Sequence, residues 1–516
     1  MKYHFLKFLF RASVVLASFG WLLLVPIDVA ARVGGGHSYG GGGRSGGGGS
    51  GGGGDGGAIA WLIFEAIRLL VYLTVEYPAI GIPLDIIVVL GVVYFFKRRR
   101  STVSFSSIVT PSVSAQVSSD DPSRSLARLR KFDPNFSEIV FTDFAYALYA
   151  KAHDARGHGA QALELFSPYL SESARKVLLN RNPAGLQEVK GIIVGSMRIA
   201  QVQGLDTPTV RVGLIFETNY TEVTKSASGA ISEMTYYVTE RWNLERKRDL
   251  LSPTPAQATA LHCPRCGAPL QRDTVGACAY CGTKIDSGEF QWYVQNITLL
   301  STEARGPMLT ANVPEVGTDY SSVVQPNFDS VVKPNFEQNN PEFQWGEFQT
   351  RVKLIFDELN AAWSSLNWER ARPHETDNIF QMHQYWIDAY RRQGLRNIVE
   401  NCTITGMQPV KIQEDAFYQA ITLRIWAQGN DYTVDQNGSV VSGSRQRLRK
   451  WSEYWTFIRN RQAKASHART DLSCPNCGSP LKVNASGICE FCGGKITSGE
   501  FDWVLSKIEQ DESYAG

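Results

Sequence analysis

The spacing of apolar and polar positions predicts two stretches of the chain in which helices are followed by strands. In the later stretch, apolar side chains recur at helical spacing over residues 348–363 and 377–392, with Asp377 as a predicted cap and Gly394 as the predicted end. Strand-like runs then cover 420–426, 432–434, 440–441 and 451–458, with a turn at 435–438. The earlier stretch has predicted helices over 139–152 and 172–179 and predicted strands over 192–199, 210–216, 234–238 and 242–244. Helices that precede a run of adjacent strands predict an α+β fold class with an antiparallel sheet.

The two stretches are predicted to be copies of one domain. The segment KIDSGEFQW at 284–292 recurs as KITSGEFDW at 495–503, at an offset of 211 residues. Upstream, Glu240 and Trp242 match Glu453 and Trp455 at a nearly equal offset. An offset held over such a length indicates a tandem repeat. We therefore predict a first domain at 131–305, a linker at 306–341 and a second domain at 342–509.

The N-terminus has the layout of a secretory signal. Lys2, Lys7 and Arg11 precede an apolar run that ends at Pro26, and small residues follow. This pattern predicts a signal peptide over residues 1–31, with an uncleaved anchor as the alternative. The glycine-rich residues 32–57 cannot bury enough surface to fold and are predicted to form a flexible tether.

Residues 58–96 are almost wholly apolar and predict a membrane region. As one helix they would extend about 58 Å, about twice the thickness of the hydrocarbon core. Pro78 and Pro83 therefore mark a predicted break, and residues 79–96 are the predicted span. The stretch 58–77 is predicted either to lie at the interface or to pack against another helix.

A basic cluster follows the predicted span and is expected to fix its orientation. It consists of Lys97, Arg98, Arg99 and Arg100. Since positive charge favours the cytoplasmic side, we predict a single-pass protein of the inner (plasma) membrane with its C-terminal domains in the cytoplasm. The cluster is also expected to contact anionic lipid head groups, and residues 97–130 as a whole are predicted to be a basic stop and Ser-rich linker.

Eight of the nine cysteines form two copies of the pattern C-x2-C-x11-C-x2-C. The first copy is Cys263, Cys266, Cys278 and Cys281, and the second is Cys474, Cys477, Cys489 and Cys492. Two such pairs facing each other supply four thiolates to one ion, so each copy predicts a zinc ribbon, at 263–281 and 474–492, with one structural zinc ion. The alternative is a pair of disulfides in each copy, which requires an oxidising compartment. Cys402, the ninth, is predicted to be a small buried apolar residue.

The later stretch resembles the C-terminal domain of the peripheral subunit of the mitochondrial import inner-membrane translocase and its bacterial relatives. The segments that carry the resemblance are FDELN at 356–360 with Trp363, WIDAYRRQGLRN at 386–397 and SEYWTFIR at 452–459. The earlier stretch resembles it more faintly, through DPNF at 133–136 and the trio Glu240, Trp242 and Arg246. The resemblance implies tandem nuclear-transport-factor-two-like cone domains, each with a sheet around a hydrophobic pocket, and binding of lipid or protein at the membrane. That subunit has neither tandem domains nor zinc ribbons, so protein import is not carried over.

Catalysis finds little support in the sequence. His374, Glu375 and Asp377 cluster before a predicted helix that carries His383, but capping and solvent contact are expected to explain them. With 52 Lys and Arg against 50 Asp and Glu, the net charge of +2 predicts no nucleic-acid partner.

We therefore expect a non-enzymatic, membrane-tethered binding or scaffold protein for a lipid, a small hydrophobic ligand or a protein segment, with membrane-associated proteins as further partners. The alternatives are an enzyme that uses the cone pocket and a zinc-ribbon adaptor for nucleic acid or protein.

Overall fold

The computed structural model describes residues 122–255, 268, 277–281, 291–304, 309, 315, 317–463, 468–469, 471–484, 486–511, 514 and 516. The predicted signal peptide, tether, membrane region and basic cluster lie outside these residues. Among the described helices, none combines the length and the apolar character needed to cross a bilayer.

The first half, from Pro122 to Ala304, places helices before strands. Its helices are α1 (Pro122–Phe132), α2 (Glu138–Gly157), α3 (Ala160–Glu164) and α4 (Glu172–Asn180). Its strands are β1 (Leu186–Gln203), β2 (Thr209–Lys225), β3 (Ile231–Lys247) and β4 (Tyr293–Ala304). They form one antiparallel sheet in the order β1-β2-β3-β4. The core lies between the sheet and α2, whose Phe144, Leu148 and Tyr149 are buried against it.

The second half, from residue 317 onward, has the same order. A π-helical turn at Phe328–Val332 leads into α5 (Lys333–Asn339), α6 (Trp345–Ser364), a 3-10 turn at Trp368–His374 and α7 (Asp377–Gln393). The strands are β5 (Arg396–Glu414), β6 (Tyr418–Val434), β7 (Val440–Gly443), β8 (Arg449–Asn460) and β9 (Val504–Gln510), with a 3-10 turn at Ile496–Ser498 before β9. The sheet is antiparallel in the order β5-β6-β8-β9, and β7 pairs with β6. The predicted α+β class with antiparallel sheets is therefore confirmed.

The helices α6 and α7 confirm the predicted helical spacing. The predicted apolar stripe of α7 is Ile379, Met382, Trp386 and Tyr390; all but Met382, which is partly exposed, are buried, and Gly394 ends the helix with φ of 65°. Asp377 does not cap the helix as predicted, because Thr376 occupies the N-cap position and Asp377 is the first helical residue. Two predicted strands at 234–238 and 242–244 are one continuous strand, β3. The polar side chains that interrupt its pattern, such as Glu240, are buried in ion pairs.

Both predicted linkers contain folded segments that the sequence analysis missed. Helix α1 begins within the predicted linker 97–130, where Leu126 and Leu129 are buried in the first core and Arg128 pairs with Asp206 at 2.9 Å. In the segment 306–341, Phe328 and Phe336 are buried in the second core. A few apolar residues in a Ser- and Pro-rich segment predict a linker. Both segments are nevertheless part of the fold, because their apolar side chains pack against residues far away in the sequence.

The joint between the halves is also tied to the outer part of the second sheet. The Arg424 guanidinium donates to the carbonyl oxygens of Gly317 at 2.8 Å and Tyr320 at 2.6 Å, and it pairs with Asp511 at 3.0 Å. The described part of the predicted linker is thus fixed against β6 rather than being a free spacer.

The two halves contact each other directly. Ile139 and Val140 at the start of α2 pack against Tyr418, Ile458 and Val504 of the second sheet. This contact places α2 of the first half beside α7 and the end of the cysteine-rich segment of the second half.

Candidate functional site

Four cysteines of the second half lie close together between β8 and β9. The Sγ atoms of Cys474, Cys477, Cys489 and Cys492 all lie within 4.8 Å of one another, and those of Cys474 and Cys492 are 3.9 Å apart. A tetrahedral zinc site with Zn–S bonds of about 2.3 Å places its sulfur atoms about 3.8 Å apart. The donor set and its spacing therefore suit one metal ion of this type.

The local backbone explains why the four thiols converge. Each cysteine pair lies on a tight turn in which the amide of a following glycine returns to the first cysteine: Gly478 N to Cys474 O at 2.8 Å, and Gly493 N to Cys489 O at 3.0 Å. Gly478 and Gly493 have φ of 75° and 70°, a left-handed conformation that glycine adopts at low cost. A hydrogen bond from the backbone of Ser479 lowers the pKa of Cys477 to about 6, whereas burial raises the pKa of Cys474 to about 12. Metal binding requires the thiolate form of both and releases their protons.

The first predicted zinc ribbon is only partly described. Cys278 is buried and Cys281 is exposed, while Cys263 and Cys266 lie outside the described residues. Its metal site therefore remains a prediction. Cys402, predicted to be buried, is only partly buried, although it packs against the second core.

A cavity of about 420 Å³ lies between the two halves. This volume is in the range of small-ligand pockets. We call it the inter-half cavity. Its apolar wall includes Phe144, Ala147, Ile192, Val194, Met382 and Ile458. The resemblance implied a pocket inside each cone; this cavity instead lies where the halves meet.

One side of the inter-half cavity is polar. Its residues include Asp143, Asp377, Asn378, Gln381, Lys495 and Ser498, and a further cation, Lys151, also lines the cavity. The Asn378 amide donates to the Asp143 carboxylate at 2.5 Å, across 235 residues of sequence. Asp377 accepts from Lys495 Nζ at 2.6 Å and from the Arg372 guanidinium. Lys495 follows Cys492 by three residues, so the turn directly after the four-cysteine segment forms part of the cavity wall.

The surroundings of Asp143 perturb its titration. Its side chain is exposed to solvent in the cavity, yet protein surrounds the site, and this partial desolvation together with the charge of Asp377 raises the pKa of Asp143 to about 7. The pKa of Asp377 shifts the other way, because Lys495 and Arg372 outweigh the effect of its own burial. Two neighbouring carboxyl groups therefore differ in charge near neutral pH.

Sequence reasoning did not single out Asp143, Asn378 or Lys495. A signal exists only for Asp143, which is the one charged residue in the otherwise apolar run IVFTDFAYALYA at 139–150. Its partners lie far away in the sequence, so their convergence depends on the packing of the two halves.

A buried charge network crosses the first half. Glu240 accepts from Trp242 Nε1 at 2.7 Å, pairs with Arg181 at 2.6 Å and lies 3.4 Å from His153. Burial, partly offset by Glu240, lowers the pKa of His153 to about 4, so the imidazole is neutral at pH 7. In the second half, Trp455 Nε1 similarly donates to Glu453 at 3.0 Å. In both halves, therefore, a buried glutamate accepts a hydrogen bond from the indole of the tryptophan two residues later in the sequence.

The cluster before α7 is buried, contrary to the expectation of solvent contact. Glu375 and His383 Nδ1 are 2.7 Å apart, and their side chains are 0% and 1% exposed. His374 is also buried, and burial together with Arg351 and Arg370 holds its pKa well below the ordinary value. Asp377 points elsewhere, to Lys495. Packing against Trp368 and Trp363 encloses the His383–Glu375 pair and separates it from solvent in this conformation.

Comparison with known protein families gives a match over part of the chain. Residues 331–468 match the family described as the Tim44-like domain. The matched segment covers helices α6 and α7 and strands β5 to β8, that is, most of the second half. No curated protein matches the chain in sequence. A solved structure described as an NTF2-like protein involved in plasmid conjugation aligns with 72% of this chain and 96% of its own, at 9% identity and a TM-score of 0.18, a similarity too low to support an argument.

Proposed function

We propose that this chain is a membrane-associated binding protein whose two α+β halves, arising from a tandem repeat of one domain, hold a small amphipathic ligand between them. The observation that carries the proposal is the inter-half cavity, which combines an apolar wall with a polar side in about 420 Å³. The geometry of this cavity does not depend on any sequence comparison. The Tim44-like match at 331–468 adds a class of membrane-associated proteins as precedent.

In this proposal the zinc ions are structural. Four thiolates complete a tetrahedral shell and leave no position for a substrate, which is typical of structural rather than catalytic zinc. The ion bound by Cys474, Cys477, Cys489 and Cys492 stabilises the segment that leads to Lys495 in the cavity wall. By analogy we assign another zinc ion to the first half, at Cys263, Cys266, Cys278 and Cys281.

A non-enzymatic role fits the described acid–base groups. The His153–Glu240 and His383–Glu375 pairs are at most 1% exposed, so they stabilise the interior instead of facing a substrate. We also retain the single membrane span at 79–96 and the cytoplasmic location of both halves as parts of the proposal, supported by the apolar run and the basic residues after it.

Native mass spectrometry of the full chain in detergent tests the proposal. We expect two zinc ions and an added mass of lipid size, with the zinc removed by a chelator. Ala147→Phe fills the cavity and should abolish the added mass, whereas Ala160→Phe, on the exposed surface of α3, is the matched control. A bound mass that survives Ala147→Phe, or no bound mass in the unaltered chain, would contradict ligand binding in this cavity.

A further inference from the structure

The polar side of the inter-half cavity offers one acceptor and one cationic donor with spare capacity. Asp143 accepts the Asn378 amide, and a carboxylate has further lone pairs for a second donor. Lys495 donates to Asp377, and its ammonium has further N–H groups for another acceptor. Its side chain is 41% exposed, so a ligand in the cavity can reach it.

Arg372 and Asp377, the charges next to Lys495, are committed within the protein, whereas Lys151, which also lines the cavity, lies about two helical turns from Asp143. The Arg372 guanidinium is 3% exposed, bonds to Asp377 and to the carbonyl oxygen of Glu375, and lies over the Phe380 ring at 4.8 Å. Asp377 is shared between Arg372 and Lys495. Around Asp377 and Asn378 the available pair is therefore an acid, Asp143, beside a base, Lys495.

An available acid beside an available base is complementary to a zwitterion. A purely anionic head group would lie against the Asp143 carboxylate, and a purely cationic one against the Lys495 ammonium. A ligand with an ammonium and a phosphate a few ångströms apart satisfies both groups. The apolar wall at Phe144, Ile192 and Met382 then accommodates a hydrocarbon chain.

We propose that the inter-half cavity binds an aminophospholipid, with its primary ammonium against Asp143, its phosphate against Lys495 and the start of an acyl chain along the apolar wall. A primary ammonium has N–H groups to donate to the carboxylate, whereas a quaternary ammonium has none. This assignment rests on the proposed function, because it names the ligand class of the same cavity.

The test measures the affinities of the full chain in detergent for short-chain phosphatidylethanolamine, phosphatidylcholine and phosphatidylglycerol. We expect phosphatidylethanolamine to bind at least about tenfold more tightly than the other two, the usual effect of one charge-assisted hydrogen bond. Asp143→Asn should remove this preference. Asp154→Asn, on the same helix with a side chain that is 60% exposed, should retain it. Glycerophosphoethanolamine has the same head group without acyl chains and should bind far more weakly.

The outcomes separate the two proposals. If all three lipids bind and Ala147→Phe blocks them, but Asp143→Asn leaves the order of affinities unchanged, the aminophospholipid assignment is wrong and the binding function stands. A preference for phosphatidylcholine, or equal binding of the free head group, also overturns the assignment. If no lipid binds and Ala147→Phe has no effect, the proposed function itself fails. Zinc content and circular dichroism establish whether each variant is folded. If Ala147→Phe does not fold, Ala150→Phe, at another position of the cavity lining, takes its place.

Discussion

Lys495 Nζ lies 2.6 Å from the Asp377 carboxylate, and this ion pair joins the four-cysteine segment to the polar side of the inter-half cavity. Thr497 Oγ1 donates to the same carboxylate at 3.3 Å, and the amide of Ile496 donates to Gly487 at 2.9 Å. The turn that follows Cys492 is thus held from both sides. Its position depends on the cysteine cluster as well as on α7.

Loss of the metal should therefore loosen one wall of the cavity. We expect the double variant Cys474→Ser and Cys477→Ser to lose one zinc ion and to become sensitive to protease between β8 and β9, because zinc binding contributes folding free energy. Hydrogen exchange should also rise at Lys495 and at the start of α7. Cys402→Ser is the control, since Cys402 packs against the core outside the cluster. Native-like protease resistance in the double variant would rule out a structural metal at this position.

The pH dependence of stability should depend on Asp143. Its pKa rises from 3.8 to about 7 on folding, so the folded chain holds the proton more tightly than the unfolded chain. Its stabilising contribution is therefore greatest below its unfolded pKa and is lost as pH rises through about 7. The charged and titratable groups around it are Asp377, Lys495, Tyr146 and Tyr418.

Asp143→Asn removes this titration and retains an amide that can bond to Asn378. Between about pH 5 and about pH 8, the free energy of unfolding should fall less in the variant than in the unaltered chain. Urea unfolding at several pH values measures this, with Asp154→Asn as the control. Parallel curves for the variant and the unaltered chain would show that Asp143 titrates normally.

The sequence predicted the elements whose patterns are local. The apolar spacing of α6 and α7 and the glycine after α7 define helices without knowledge of their neighbours. Glu240 interrupts the apolar pattern of β3 and Arg246 ends it early, so the sequence predicts two short strands where the structure has one. Both side chains are buried, since Arg181 and Asp133 neutralise them from other elements. Such pairs depend on tertiary contacts and leave no local signal.

The candidate site also has one part that the sequence predicts and one part that it does not. The spacing of Cys474, Cys477, Cys489 and Cys492 is a local motif, and the structure brings these four thiols together. The inter-half cavity is formed by elements such as α2 and α7, which are joined across 235 residues by Asp143 and Asn378. A cavity of this kind depends on how two halves pack, and no residue pattern within either half predicts it.

The Glu240 network should stabilise the first half strongly. Glu240→Gln removes the buried partner of Arg181 and weakens the contact with His153. Because a buried charge would lose its partner, we expect a loss of about 3–5 kcal/mol in the free energy of unfolding. Glu172→Gln breaks an exposed pair with Lys176 and should change stability little. Equal effects of the two substitutions, measured by chemical denaturation, would show that the buried network contributes no more than a surface ion pair.

The segment between the halves should behave as part of the second core. Phe336 is 1% exposed, and its ring centre lies 5.0 Å from that of Phe343 in a T-shaped contact. Phe336→Ala should therefore cost about 3–5 kcal/mol, because it removes a buried aromatic ring and leaves a cavity. Val331→Ala, in the same segment but with a residue that is 48% exposed, should change stability by less than about 0.5 kcal/mol. Thermal and urea unfolding of both variants measure the difference; if Phe336→Ala is as mild as Val331→Ala, the segment is a spacer after all, and the contacts of Phe336 do not contribute to the fold.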